Sequence, residues 1–150
     1  MPARPAVLSV VIALALAACE SARPADSPVT TVATFIAAVE AAERDATQRR
    51  RVYDLLSLRG RNGLDERAAR ASQVSGRALD PWEMIAPGRL RLRMTVSTDS
   101  LTARESGERA MVTARGRAGG VADIPLVREE GRWRIDLALP ALSAPGPGER

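Results

Sequence analysis

From Ser27 onward, apolar residues recur first at helical spacing and then, past Arg89, at every second position. Val29, Val32, Ile36 and Val39 share one helical face with Phe35 beside them. Ser27-Pro28 opens that run with an N-cap residue and a proline at the first helical position. Val52, Leu55 and Leu56 resume the pattern out of phase: at about 100° per residue, Val52 falls about 220° from Val39. Asp45-Ala46-Thr47-Gln48 has the form of a capping box, so the pattern predicts a restart and two helices, 28–44 and 46–58. A third helix is predicted over 63–75, entered at Asn62 or Asp65 and stopped at Gly76. Asp80-Pro81-Trp82-Glu83 predicts one short capped turn.

The later alternation predicts strands. Leu90, Leu92, Met94 and Val96 alternate with Arg89, Arg91, Arg93 and Thr95, the pattern of a half-buried strand. A weaker signal covers Ser97 to Arg104. Glu105-Ser106-Gly107-Glu108 turns the chain into Arg109–Arg117, where Ala110, Val112 and Ala114 share a face. Gly119-Gly120 leads to Val121–Arg128, in which Pro125 marks an edge or a bulge. Glu130-Gly131 leads to Arg132–Leu137, with Trp133, Ile135 and Leu137 inward. Helices followed by an antiparallel meander define an α+β fold, the helices packing on one face of the sheet. There is no internal repeat.

Both ends read differently. Ala6 to Ala18 is apolar except for Ser9, too short to span a bilayer as a helix and the right length for the core of a cleaved signal peptide. It ends in Leu16-Ala17-Ala18-Cys19, with the chain's single cysteine. This segment resembles the lipobox of bacterial lipoproteins. The resemblance implies cleavage between Ala18 and Cys19, acylation of Cys19 and anchoring in a lipid bilayer, since several acyl chains hold stably where one does not. Ala15-Leu16-Ala17 also fits an ordinary cleavage site that would release a soluble protein, and a lone cysteine can be a core residue. Glu20, in place of an aspartate, favours the outer membrane. The chain then divides into a signal peptide (1–18), a lipidated tether (19–27), one domain (28–142) and a disordered tail (143–150). The proline-bearing stretch after Cys19 reaches about 27 Å when extended.

Composition narrows the chemistry. With 150 residues, 45% hydrophobic and 3% aromatic, the chain holds one ordinary domain whose core is aliphatic. All 22 basic residues are arginine, and histidine is absent. The isoelectric point of 10.7 therefore reflects how little titrates between carboxylates and arginines, Tyr53 and Cys19 aside. It is no nucleic-acid footprint. Without histidine there is no Ser-His-Asp triad and no His-ligated zinc; without lysine there is no Schiff base and no P-loop. No cofactor and no metal are expected. Asp54, Asp80 and Glu83 are the carboxylates available as bases, but Asp54 falls on the solvent side of its helix and the other two are explained as caps.

The helix region Val32–Leu56, the turn and strand "GERAMV" at Gly107–Val112 and the ending "VREEGRWRIDL" at Val127–Leu137 resemble the cone-shaped α+β superfamily of nuclear transport factor 2, ketosteroid isomerase and the SnoaL-like proteins. The resemblance implies helices packed on a curved antiparallel sheet, a cystatin-like cone. It carries over no catalytic residue, because no spacing around Tyr53 matches the acid–base pattern of the catalytic cones. Tyr53, Trp82 and Trp133 are candidates to line a ligand pocket; the plainer reading is that they fill the core. Arg89, Arg91 and Arg93, with Arg109, Arg115 and Arg117 and with Arg132 and Arg134, are expected on one outward sheet face. That face is a candidate for docking an anionic envelope component or acidic protein, where solvated arginines are the plainer reading. Asp136 is the carboxylate whose parity matches it. The expected function is that of an envelope lipoprotein on the periplasmic side of a membrane, acting as a non-catalytic binding or accessory module. The alternatives are an isomerase- or dehydratase-like enzyme and a structural partner of an envelope complex. A homodimer is compatible with either.

Overall fold

The computed structural model describes residues 26–142. The expected signal peptide, the lipidation site Cys19 with its cleavage neighbour Ala18, nearly all of the tether and the 143–150 tail lie outside the described residues. No helix among the described residues is long and apolar enough to cross a membrane.

The chain is α+β. Helix α1 spans Pro28–Arg44, as the spacing predicts. Ser27 Oγ accepts the Thr30 N–H at 3.1 Å, and the buried face carries Val32, Phe35, Ala38, Val39 and Ala42. Asp45 ends α1 in an extended conformation and accepts the Thr47 N–H at 2.9 Å. It caps a short 3-10 turn, Ala46–Gln48, that runs into α2, Arg49–Asp54.

The predicted 46–58 helix is thereby cut short, and the reason is tertiary. Leu55 O accepts the Ile135 N–H at 2.9 Å, and Ser57 N donates to Ile135 O at 2.8 Å. This parallel bridge to the end of the sheet takes backbone groups a continuing helix would need. Ser57 then starts α3, Leu58–Ser75, its Oγ accepting the Gly60 N–H at 3.2 Å. Helix α3 thus begins five residues before the predicted start. Gly60 and Gly63 weaken the local helix signal; the tighter approach is at Gly63, where a methyl group would lie 3.1 Å from Leu139 Cδ1. The helix stops at Gly76 in the left-handed conformation, as expected. The predicted short turn forms over Pro81–Met84, with Asp80 N donating to Glu83 Oε2 at 2.8 Å.

The predicted strand 89–96 does not form. Pro87 opens a single helical turn, α4, Pro87–Leu90, closed by Arg91 N donating to Pro87 O at 2.9 Å. An irregular connector follows, and β1 spans Val96–Ser106. The alternation itself survives: Leu90, Leu92, Met94 and Val96 are half-buried while Arg89, Arg91, Arg93 and Thr95 are exposed. A period of two describes extended chain over an apolar surface and does not require a ladder partner.

Strands β2 (Arg109–Gly116), β3 (Val121–Glu129) and β4 (Arg132–Ile135) complete an antiparallel meander ordered β1-β2-β3-β4. It curls into a half-barrel, and α1 packs against β1, β2 and β4. The inner face carries Leu101, Ala110, Val112, Ala114, Leu126, Trp133 and Ile135, all buried. Strand β4 pairs with β3 only over Leu126–Glu129, so Pro125 stands where that pairing ends. Its carbonyl still accepts the Asp136 N–H at 2.8 Å.

Candidate binding cleft

Because β4 is four residues long and β3 nine, one stretch of β3 has no neighbour on the β4 side. The space beside it is a cleft of about 490 Å³. Helix α1 supplies Phe35, Ile36 and Val39 to its wall; the connector supplies Leu90, Leu92, Met94 and Val96; the sheet end supplies Ile124, Ile135 and Leu137. The alternation that reads as a half-buried strand in the sequence thus contributes to the cleft wall. Met94 fixes the connector by seating on the hairpin end between Gly116 and Gly120.

The rim is charged. Arg59, Arg89, Arg91 and Arg109 line it together with Glu40, Asp123 and Asp136. Asp136 Oδ1 lies 3.2 Å from Arg59 Nε and accepts the Ser57 hydroxyl at 3.1 Å. The carboxylate expected to balance the sheet arginines is therefore engaged by α3. Arg91 Nη1 lies 3.5 Å from Glu43 Oε2, and Asp123 Oδ1 accepts the Thr113 hydroxyl at 2.6 Å. Ser57, Arg59 and Asp136 are the site residues that sequence reasoning did not bring together. The parity of Asp136 was the one legible signal.

The aromatic candidates do not meet in this cleft. Tyr53 and Trp82 form an edge-to-face pair with centroids 6.1 Å apart, and Arg50 lies over the Trp82 ring at 4.9 Å. The Tyr53 hydroxyl donates to Asp65 Oδ1 at 2.9 Å. Burial, followed by the Asp65 hydrogen bond and charge, raises the Tyr53 pKa. Trp133 is buried in the inner face, 4% exposed, with Arg128 against its ring at 5.7 Å. Its backbone N–H donates to Asp26 Oδ2 at 3.2 Å.

The arginines expected on one sheet face divide. Arg89, Arg91 and Arg93 belong to α4 and the connector, so they share no ladder with the others. Arg132 and Arg134 project from the outer face of β4, where Arg134 Nη1 donates to Asp54 O and both residues line, with Trp133, a second depression beside Thr30 and Thr34. By register, the outward face holds Arg104, Arg109, Arg115, Arg132 and Arg134.

Among the carboxylates, Asp45 and Glu83 are held below their usual range. For Asp45 the causes are the Thr47 hydroxyl and N–H; for Glu83 they are first the Asp80 N–H and then Arg77. Both act as caps away from the cleft. No three metal-ligating side chains cluster among the described residues. In chemical terms the cleft offers an apolar wall for contact and guanidinium groups for an anion. No protein-family model, curated protein or solved structure matches this chain.

Proposed function

We propose that this chain is a bacterial envelope lipoprotein, cut before Cys19 and held on the periplasmic side of a membrane by acyl chains on that residue. Its domain is a non-catalytic binding module that takes an apolar ligand in the cleft between α1, the Leu90–Val96 connector and the open edge of β3. The observation that carries the binding reading is the cleft itself: about 490 Å³, inside the range of ligand pockets, with an apolar wall and a charged rim of four arginines and three carboxylates. The anchoring reading is supported by the lipobox-like Leu16-Ala17-Ala18-Cys19, and Glu20 favours the outer membrane. Helices preceding a curled antiparallel sheet, with a cleft at the open end, support placing the domain in the cone-shaped superfamily.

One preparation tests both parts. The full chain is produced in a bacterium that processes lipoproteins and extracted in detergent. Mass spectrometry of the mature N-terminus is expected to find an acylated Cys19; an unmodified alanine, serine or glutamate there overturns the anchor. After detergent exchange, a hydrophobic fluorescent dye is expected to bind with one-to-one stoichiometry and to be lost on Leu92→Asp. Undiminished dye binding by that variant overturns the cleft as the binding site.

A further inference from the structure

We infer that the cleft is built for a single-chain amphiphile with an anionic head group, the chain lying along the apolar wall and the head group held by Arg89 and Arg109. The inference rests on the binding reading above and adds the ligand class.

The size fits one acyl chain. At about 30 Å³ per heavy atom, the share of one water molecule in the liquid, the cleft holds roughly sixteen heavy atoms. The wall draws Ile36 and Val39 from α1, Leu92 and Met94 from the connector, and Leu137 from the sheet end. Nothing in that wall presents a polar group for a sugar or a base to read.

The charges of the rim are unevenly spent. Arg59 is committed to Asp136 and Arg91 to Glu43, while Asp123 accepts the Thr113 hydroxyl and keeps its charge. Arg89 and Arg109 have no side-chain acceptor among the described residues. They reach the cleft from separate elements, Arg89 from α4 and Arg109 from the first residue of β2. Arg89 also lines the neighbouring depression with Leu137 and Leu139, and Arg109 enters beside Pro125, whose carbonyl holds the Asp136 N–H. Glu40, a rim carboxylate with no side-chain partner among the described residues, stands beside Arg91–Val96, a stretch that also carries Arg93. Arg89 and Arg109 therefore supply the rim's positive charge that no side chain engages, and a negative head group is drawn to them. Two guanidinium forks suit a carboxylate or a phosphate monoester, both of which accept paired hydrogen bonds.

The test uses the full chain and three probes with the same sixteen-carbon tail: hexadecanoate, hexadecyl phosphate and hexadecanol, each below its aggregation concentration and each displacing the hydrophobic dye. The two anions are expected to compete at least about tenfold better than the alcohol, the scale of one charge-assisted hydrogen bond. The double substitution Arg89→Gln with Arg109→Gln, on exposed positions, is expected to bring the anions down to the alcohol and to leave the alcohol unchanged. A preference for the phosphate over the carboxylate identifies a phosphate-bearing lipid as the source, and the reverse identifies a fatty acid. Equal competition by acid and alcohol, or anion binding unaffected by the double substitution, overturns the head-group inference while the apolar cleft stands. Failure of all three probes to displace the dye overturns both. Displacement that persists in Leu92→Asp places the probe outside the cleft and also overturns both.

Discussion

Replacing Gly116 with alanine tests whether Met94 fixes the connector that walls the cleft. Gly116 closes β2 on its inner face, following Ala110, Val112 and Ala114. A methyl group there would lie 2.9 Å from Met94 Cβ, 2.9 Å from its Sδ and 3.1 Å from its Cγ. The thioether end could swing aside at little cost, but Cβ moves only with the backbone, so the connector must shift. Overpacking of this kind costs about 1–3 kcal/mol. Against it stands the gain of about 0.4–1 kcal/mol from a less flexible unfolded chain, available because Gly116 has no positive φ. The net expectation is a loss of up to about 2.6 kcal/mol. In a Met94→Gly background both Cβ and the thioether are gone, and Gly116→Ala should be neutral or stabilising by about 0.4–1 kcal/mol. Urea unfolding of the four chains, followed by tryptophan fluorescence, gives the coupling energy directly. The single variant should also bind the hydrophobic dye more weakly, since Met94 lines the cleft. Equal cost of Gly116→Ala in both backgrounds would refute the steric argument.

Two further predictions address the core and the alkaline limit. Trp133→Ala should cost about 3–5 kcal/mol, the range for removing a buried aromatic, because the side chain is 4% exposed on the inner face of β4; an unchanged melting temperature would show that the residue faces outward. Tyr53 has a raised pKa, chiefly through burial and then through Asp65, so its contribution is fully present below the ordinary tyrosine value of about 10 and is lost as pH rises through the higher folded value. With one tyrosine and no lysine in the chain, that alkaline loss of thermal stability should vanish in Tyr53→Phe; the same slope in both proteins would assign it elsewhere.

Some elements of this fold are written locally. The start of α1 at Ser27-Pro28, the stop of α3 at Gly76, the Asp80–Glu83 cap and the β2–β3–β4 hairpins follow from neighbouring residues whose side chains satisfy or constrain the backbone within a few positions. The same locality makes the α+β order legible, because the change from helical to alternate spacing needs no partner to be seen. Other features depend on residues far along the chain. The break after Asp54 and the early start of α3 exist because Leu55 and Ser57 bond to Ile135, a partner that no short window contains. The Leu90–Val96 alternation has the pattern of a strand because half-burial imposes a period of two on any extended chain, whether its neighbours are strands or, as here, α1 and a hairpin end. The cleft is the least local feature of all. It exists because β4 stops short of the length of β3, and a vacancy beside a strand is a property of where its neighbour ends. Sequence determined the materials, an aliphatic wall and arginines without lysine or histidine; tertiary structure decided which arginines meet that wall and which are spent on Asp136 and Glu43, since pairing is settled by distances that only the folded chain sets.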